Sequence, residues 1–299
     1  MPRLVYAALI LLSLIWGGSF YFIKMLLHDF GPWSIVFLRS TAGLLTIVVM
    51  MLALRQPFGF RTIHWVPMAV MAIVNTALPW TLIAFGETKV ASGMASILNA
   101  TTPIWTVVIG MLVFRSKTHK LQWLGLGIAT IGLLVVVGLR PGSDTAVNLL
   151  GVASLIVATI CYAIGSQLSK RLMTGGLSMY QITFGTLLCT SIASGSVAFS
   201  TEPFPFVQLA ASTNILMTVG LGVFGSGFGY ILFYYMIQKG SAEFATMVTY
   251  LVPCTALVWG AALLDENMSW NLLVGLFVIL AGVFLSGRKT GTGGRRSAT

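Results

Sequence analysis

Charge is the scarcest commodity in this 299-residue chain: 17 basic and seven acidic residues make up 8% of it, against roughly 25% in an average soluble domain. A soluble protein of this length covers its surface with charge, so a soluble fold is excluded. Cysteine is nearly as rare. The three, at 161, 189 and 254, sit inside apolar segments without CxxC spacing; no disulfide framework or metal site is indicated, and they read as small apolar packing residues. The three histidines, 28, 64 and 119, lie near segment ends with no second ligand at helical spacing, and read as interfacial. Acidic residues are absent from the middle of every apolar run, Glu87 and Glu243 falling at run ends, so a proton relay through a buried carboxylate is not visible. The only adjacent acidic pair, Asp265-Glu266, stands alone at a loop edge, whereas an integral-membrane enzyme such as a lipid-modifying transferase needs a carboxylate cluster. No catalytic residue, metal site or cofactor is expected.

Apolar residues are abundant, at 57%. They gather into ten runs, 4–27, 33–54, 63–86, 91–114, 121–139, 148–169, 178–199, 212–237, 242–264 and 270–287, each near the roughly 20 residues a helix needs to cross a bilayer. The expected fold is an all-α integral membrane protein with ten transmembrane helices. The first run is long and lacks a small-residue cleavage site, so it reads as a permanent span. Placing the N-terminus in the cytoplasm puts thirteen of the seventeen basic residues on that side, leaves Lys24, Lys89 and Arg140 outside and sets Arg39 within a span; both termini are therefore expected in the cytoplasm. The net charge of +10 is topological, because loops this short cannot form a folded basic face for nucleic acid. Residues 289–299 read as a basic, disordered cytoplasmic tail within reach of anionic membrane lipids.

Sliding the sequence by 150 residues pairs Pro103 with Pro253, Gly110 with Gly260, Gly125 with Gly275, and Gly132 with Gly282. A weaker match at 146 lays "WGGSFYFIK" (16–24) on "YAIGSQLSK" (162–170). Such self-similarity marks an internal repeat. Five spans per unit is an odd number, so the second unit enters the membrane from the opposite side, an inverted repeat around a central cavity as in secondary transporters. The units are 1–140 and 148–288.

Each in-span proline frees the carbonyl four residues earlier: that of Asn75 for Pro79, Asn99 for Pro103 and Thr249 for Pro253. In lipid a freed carbonyl turns to protein, water or a ligand, so these residues are candidates for binding an ammonium group; the plain alternative is a packing kink. Trp16, Trp80, Trp105, Tyr162, Tyr230, Tyr234 and Tyr250 lie inside spans rather than at their ends, where a membrane belt would put them. Buried Trp and Tyr need polar partners and so point toward a cavity. Ser19 stands beside Trp16 in the first span. Arg39 and Lys24 are the in-span charges, candidates for gating or structural roles.

"LIWGGSFYFIK", "FLRSTAG", the Pro–Gly spacing shared by "PIWTVVIG" and "PCTALVWG", and "LLDENMSWNLLVGLFVILAGVFL" resemble the EamA-type members of the drug/metabolite transporter superfamily, most like the YddG-type amino-acid exporters. The resemblance covers nearly the whole chain. It implies two inverted EamA-type five-helix repeats in the bacterial inner membrane, a cavity lined by spans one, three, four, six, eight and nine, and export of small metabolites by alternating access. It carries Trp16, Gly17, Ser19, Lys24, Arg39 and the kink prolines onto family motifs. One departure is Ser116, where the family often has a glutamate matching Glu266 of the second half. The expected substrate is an aromatic or other neutral amino acid or a similar small metabolite, handled by a monomer; a drug, sugar or nucleotide sugar is the alternative.

The topology is testable with fusions. A reporter active only in the cytoplasm is expected to work after Arg288 and to fail after Lys89; activity at Lys89 and silence at Arg288 would invert the assignment.

Overall fold

Apolar runs without interior charge fold in hydrocarbon as helices, because only helical hydrogen bonding satisfies every backbone group within the segment. The computed structural model describes residues 3–114, 120–137, 148–239 and 248–287. Its helices are α1 (Arg3–Leu26), α2 (Pro32–Ala53), α3 (Trp65–Glu87), α4 (Ser92–Asn99), α5 (Thr102–Phe114), α6 (Lys120–Val137), α7 (Leu149–Thr174) and α8 (Met179–Thr201). There follow α9, built from Ser212–Thr218, Val219–Phe228 and Gly229–Lys239, then α10 (Val248–Leu263) and α11 (Trp270–Gly287). Among the described residues there is no strand. Among the described residues six helices, α1, α2, α3, α7, α8 and α9, are long and apolar enough to cross a membrane. Residues 289–299, Ser116 and Glu243, with the charges at Arg115, Lys117, Arg140, Asp144 and Arg288, lie outside the described residues.

Two helices are not α-helical throughout. Ile73–Ala77 in α3 and Val219–Phe228 in α9 are π-helical, and a shift of 150 residues lays the first within the second. The fourth apolar run is broken: α4 stops at Asn99 and α5 starts at Thr102, with Pro103 its second residue. Proline fits there because the first turn of a helix uses no intrahelical N–H. The carbonyl of Asn99 accepts from Thr102 Oγ1 at 2.7 Å, so the break is satisfied locally. Pro79 likewise opens the α-helical part of α3 that follows the π segment, while Pro253 lies within α10.

Helix ends inside the protein also need partners. Glu202, just past α8, accepts from Trp33 N at 3.0 Å, Ser34 N at 2.8 Å and Ser34 Oγ at 2.7 Å, capping α2. Glu266 does the same for α4, accepting from Ser92 N and Oγ at 2.8 Å each and Gly93 N at 3.0 Å. A carboxylate is favoured at these positive helix ends. Asp265 delivers it: at φ 50 it takes the left-handed conformation that Asp tolerates and ends α10, and the Glu266 N–H turns back to Gly260 O at 3.2 Å.

The helices pair reciprocally. α1 packs on α9 and α10, and α7 packs on α3, α4 and α5; α2 packs on α8, and α6 on α11. Thr41 and Ser191, 150 residues apart, share a hydrogen bond of 2.6 Å where α2 meets α8. Along α6 and α11 the Cα of Gly132 faces the backbone of Ile279, and that of Gly282 faces the backbone of Ala129; a 150-residue shift turns each pair into the other. Without a hydrophobic drive between helices in lipid, such close approach and dispersion hold the pairs together. Leu45, Val49, Leu52, Ile192 and Phe277 point outward, the pattern of a lipid-facing surface.

A Cβ at Gly132 would sit 2.7 Å from the Ile279 nitrogen, whereas one at Gly127 meets nothing within 4 Å. Gly132→Ala is therefore expected to lower stability by about 1–3 kcal/mol through overpacking. Gly127→Ala should be neutral or slightly stabilising. Thermal unfolding in detergent separates the two, and equal midpoints would refute the close contact.

Candidate functional site

The π segment of α9, "VGLGVFGSGF", carries four glycines, and their missing side chains let α1 and α2 reach its backbone. A Cβ at Gly222 would meet Ala42 and the Arg39 carbonyl. Trp16 of α1 donates its indole N–H to Gly225 O at 3.0 Å. Arg39 of α2 donates Nε–H to Ser226 Oγ at 3.2 Å, and its guanidinium lies 3.6 Å from the centre of the Trp80 ring of α3. Arg39 is only 6% exposed. Its partners are an aromatic face and a hydroxyl, and Tyr162 of α7 and Tyr230 of α9 lie beside it.

An aromatic cluster surrounds this cation. Ring centres of Trp16 and Tyr230 are 6.2 Å apart, those of Trp80 and Tyr230 6.1 Å, and those of Tyr230 and Tyr234 6.0 Å. Phe233 leans on Trp16 at 5.5 Å. Cation stacking on tryptophan, the best such acceptor, strengthens as water is excluded. Chemically, the arrangement offers one delocalised positive charge, several ring faces and several phenol hydroxyls.

Of the residues singled out in the sequence, Trp16, Arg39, Trp80, Tyr162, Tyr230 and Tyr234 meet here. The others lie apart or elsewhere in the shell. Ser19 is buried one turn from Trp16, bonded to Ile15 O at 3.2 Å. Asn75, in the π segment of α3, packs against Gly165 of α7, and Pro79 is buried beside Trp80 in sequence. Asn99 ends α4 with its side-chain Oδ1 buried and without a partner in the protein. Thr249 is half-buried in the first turn of α10, and Pro253 is buried further along it. The side chains of Pro103 and Tyr250 lie outside the described residues. Lys24 is at the far end of α1, donating to Glu87 O at 2.7 Å and Val90 O at 3.3 Å.

Sequence reasoning passed over Ser226, the Gly225 carbonyl and Trp259. Ser226 and the Gly225 carbonyl were signalled only by the run of glycines. The indole N–H groups of Trp105 and Trp259 are buried and unpartnered, that of Trp259 beside Gly18 of α1. Glu87, a run-end residue in the sequence, is 0% exposed. Glu266, half of the only acidic pair, is committed to capping α4.

The family model for EamA-like transporters matches this chain twice, over residues 3–138 and 149–288. The chain belongs to the EamA-like transporter family. It is an integral, multi-pass membrane transporter of the drug/metabolite superfamily. An uncharacterized transporter of Archaeoglobus fulgidus is 26% identical over 92% of this chain and 95% of its own length. The uncharacterized inner membrane transporter YedA of Escherichia coli K12 is 25% identical over 94% and 90%. A solved crystal structure 15% identical to the chain superposes with a TM-score of 0.67 over 95% of this chain and 96% of that one, which is a likeness of fold. The EamA likeness of the motifs agrees with this family match.

Arg39→Lys is expected to weaken the cluster, since an ammonium neither stacks flat on Trp80 nor presents the planar fork. Loss of the stack should cost about 1 kcal/mol and alter Trp80 emission. Unchanged tryptophan fluorescence and stability would show that the stacking contributes nothing.

Proposed function

We propose that this transporter exports neutral amino acids, aromatic ones included, or similar small amphiphilic metabolites from the cytoplasm by alternating access. The observation that carries this reading is the buried Arg39 guanidinium, held by Trp80 and Ser226 and ringed by Trp16, Tyr162, Tyr230 and Tyr234. A substrate carboxylate fits such a fork bidentately, and the rings receive an apolar or aromatic side chain. An ammonium group would find an acceptor in the unpartnered Oδ1 of Asn99. Asn75, Thr249 and Tyr250 complete the proposed shell, with the breaks at Pro79, Pro103 and Pro253 shaping its backbone. Nucleotide sugars are disfavoured because a diphosphate calls for several cations, and the cluster offers one.

In this reading the chain forms ten spans in two inverted five-helix repeats, 1–140 and 148–288, with both termini cytoplasmic, and works as a monomer. The reciprocal pairing of α1 and α7, the matched π segments and the twofold family match support it. So does the positive-inside count. Rocking of one arrangement into its mirror image would then expose the cluster to either side.

Counterflow in proteoliposomes preloaded with unlabelled amino acids is the direct test. Saturable uptake of labelled phenylalanine or another neutral amino acid is expected, abolished in Arg39→Gln and with KM raised about tenfold in Trp80→Ala, the loss of roughly 1.4 kcal/mol of ring contact. Uptake of sugars or cationic drugs with no amino-acid counterflow would replace this reading with the other branch of the superfamily.

A further inference from the structure

Glu87 ends α3 and is fully enclosed, yet neither oxygen of its carboxyl has a hydrogen-bond partner within the protein. The cation that could pair with it is otherwise engaged. Lys24 of α1 places its ammonium on two main-chain carbonyls, Glu87 O at 2.7 Å and Val90 O at 3.3 Å, and so ties α1 to the corner between α3 and α4. The charged groups within electrostatic reach of the carboxyl are Lys24 from α1, Arg39 from α2 and Glu266 from the turn after α10. Glu266 is fixed on the end of α4 by its three hydrogen bonds, and Lys89, two residues on, lies over the Phe85 ring at 5.9 Å. From α7, Leu155 and Ser154 press on neighbouring Gly86, and the Ser154 hydroxyl is turned to its own helix at Gly151 O.

An ionised carboxylate in such a place, without an ion pair or a hydrogen bond, is among the most unfavourable groups a protein can bury. A metal cation would fit no better, since a hard cation takes about six oxygen ligands and this carboxyl has no polar neighbour within hydrogen-bond range. A proton needs no further ligands. We propose that Glu87 is a proton-binding site that couples transport to a proton gradient, with Lys24 as the latch it controls. With the proton bound, the carboxyl is neutral, Lys24 stays on the two carbonyls, and α1 closes on the α3–α4 corner. When the proton leaves, the carboxylate draws the Lys24 ammonium away from those carbonyls, and the tie between α1 and the corner is released. Proton binding and closure of this end favour each other reciprocally.

Coupling rests on the exporter reading and on its topology, which puts this end outside. One proton from outside then closes this end, leaves to the cytoplasmic side as substrate loads, and one substrate moves out in exchange. For a zwitterionic substrate the cycle carries one positive charge inward.

Two arms test the site separately from the exporter reading. In purified protein, infrared difference spectra across a pH titration should contain the C=O stretch of a protonated carboxyl at neutral pH, shifted in Glu87→Asp and absent in Glu87→Gln. A wild-type spectrum without that band overturns the proposal, whatever the protein transports. In proteoliposomes, a proton gradient should drive wild-type accumulation of whichever substrate shows counterflow. Glu87→Gln should lose that response by about tenfold or more while keeping measurable counterflow, and Glu87→Asp should recover part of it. Gradient-driven accumulation that persists in Glu87→Gln, or that follows sodium instead of protons, overturns the coupling. Failure of every amino acid in counterflow defeats the exporter reading and leaves the infrared arm to decide the site. Glu87→Gln, isosteric with the protonated acid, should unfold at a temperature no lower than wild type, which excludes a folding defect.

Discussion

Every backbone N–H and C=O in this chain must find a partner inside the protein, because hydrocarbon supplies none. The helices answer most of that demand, and the departures from regular helix show where the answer had to be found elsewhere. At the Asn99–Thr102 break the freed carbonyl takes a hydroxyl three residues on. At the ends of α2 and α4 the free N–H groups take the carboxylates of Glu202 and Glu266, each brought in from a helix distant in sequence. In the π segment of α9 the Gly225 carbonyl takes the Trp16 indole. These satisfactions are what lock α1, α2 and α9 around the aromatic cluster.

The cluster places a permanent cation in the protein interior without a carboxylate beside it. Stacking on Trp80 and a bond to Ser226 hold Arg39 in place, but neither neutralises it. Glu87 is the opposite case, an acid enclosed with nothing to stabilise its charge. One group cannot shed its charge and the other can scarcely keep it. That asymmetry is the ground on which anion recognition is proposed for Arg39 and proton binding for Glu87.

Much of this was legible in the sequence, and for identifiable reasons. Hydropathy alone places the six long apolar helices, since run length and absence of charge are properties of the local sequence. The six aromatic and basic residues that meet there were picked out because Trp and Tyr inside a span stand away from the interfacial belt and a charge inside a span is costly. What could not be read depends on tertiary cover. Glu87 sits at a run end where water is expected, and only tertiary packing over that corner buries it. Ser226 is one hydroxyl in a glycine-rich run until Arg39 arrives from 187 residues away. The π segments have no sequence period of their own. The local rescue of the Asn99 carbonyl was readable in "NATT", where a hydroxyl residue three positions on is well placed to reach back.

The contact between α6 and α11, in which Gly132 meets Ile279 and Ala129 meets Gly282, is of the isologous kind that two identical subunits make about a twofold axis. A seam of that kind is indifferent to which side moves: tilting either half against the other strains the same contacts equally. In the proposed inverted-repeat reading the scaffold is thus close to degenerate between an arrangement and its twofold-related counterpart, and preference comes from residues that break the symmetry. Arg39 and Glu87 are such residues, since the positions 150 further on hold Cys189 and Ile237, neither of them charged, whereas Lys24 falls on Lys170 at the 146 offset of its own span. In the proposed alternating-access reading the symmetric seam supplies two states of similar energy, and the charges of Arg39 and Glu87, held in one half, choose between them.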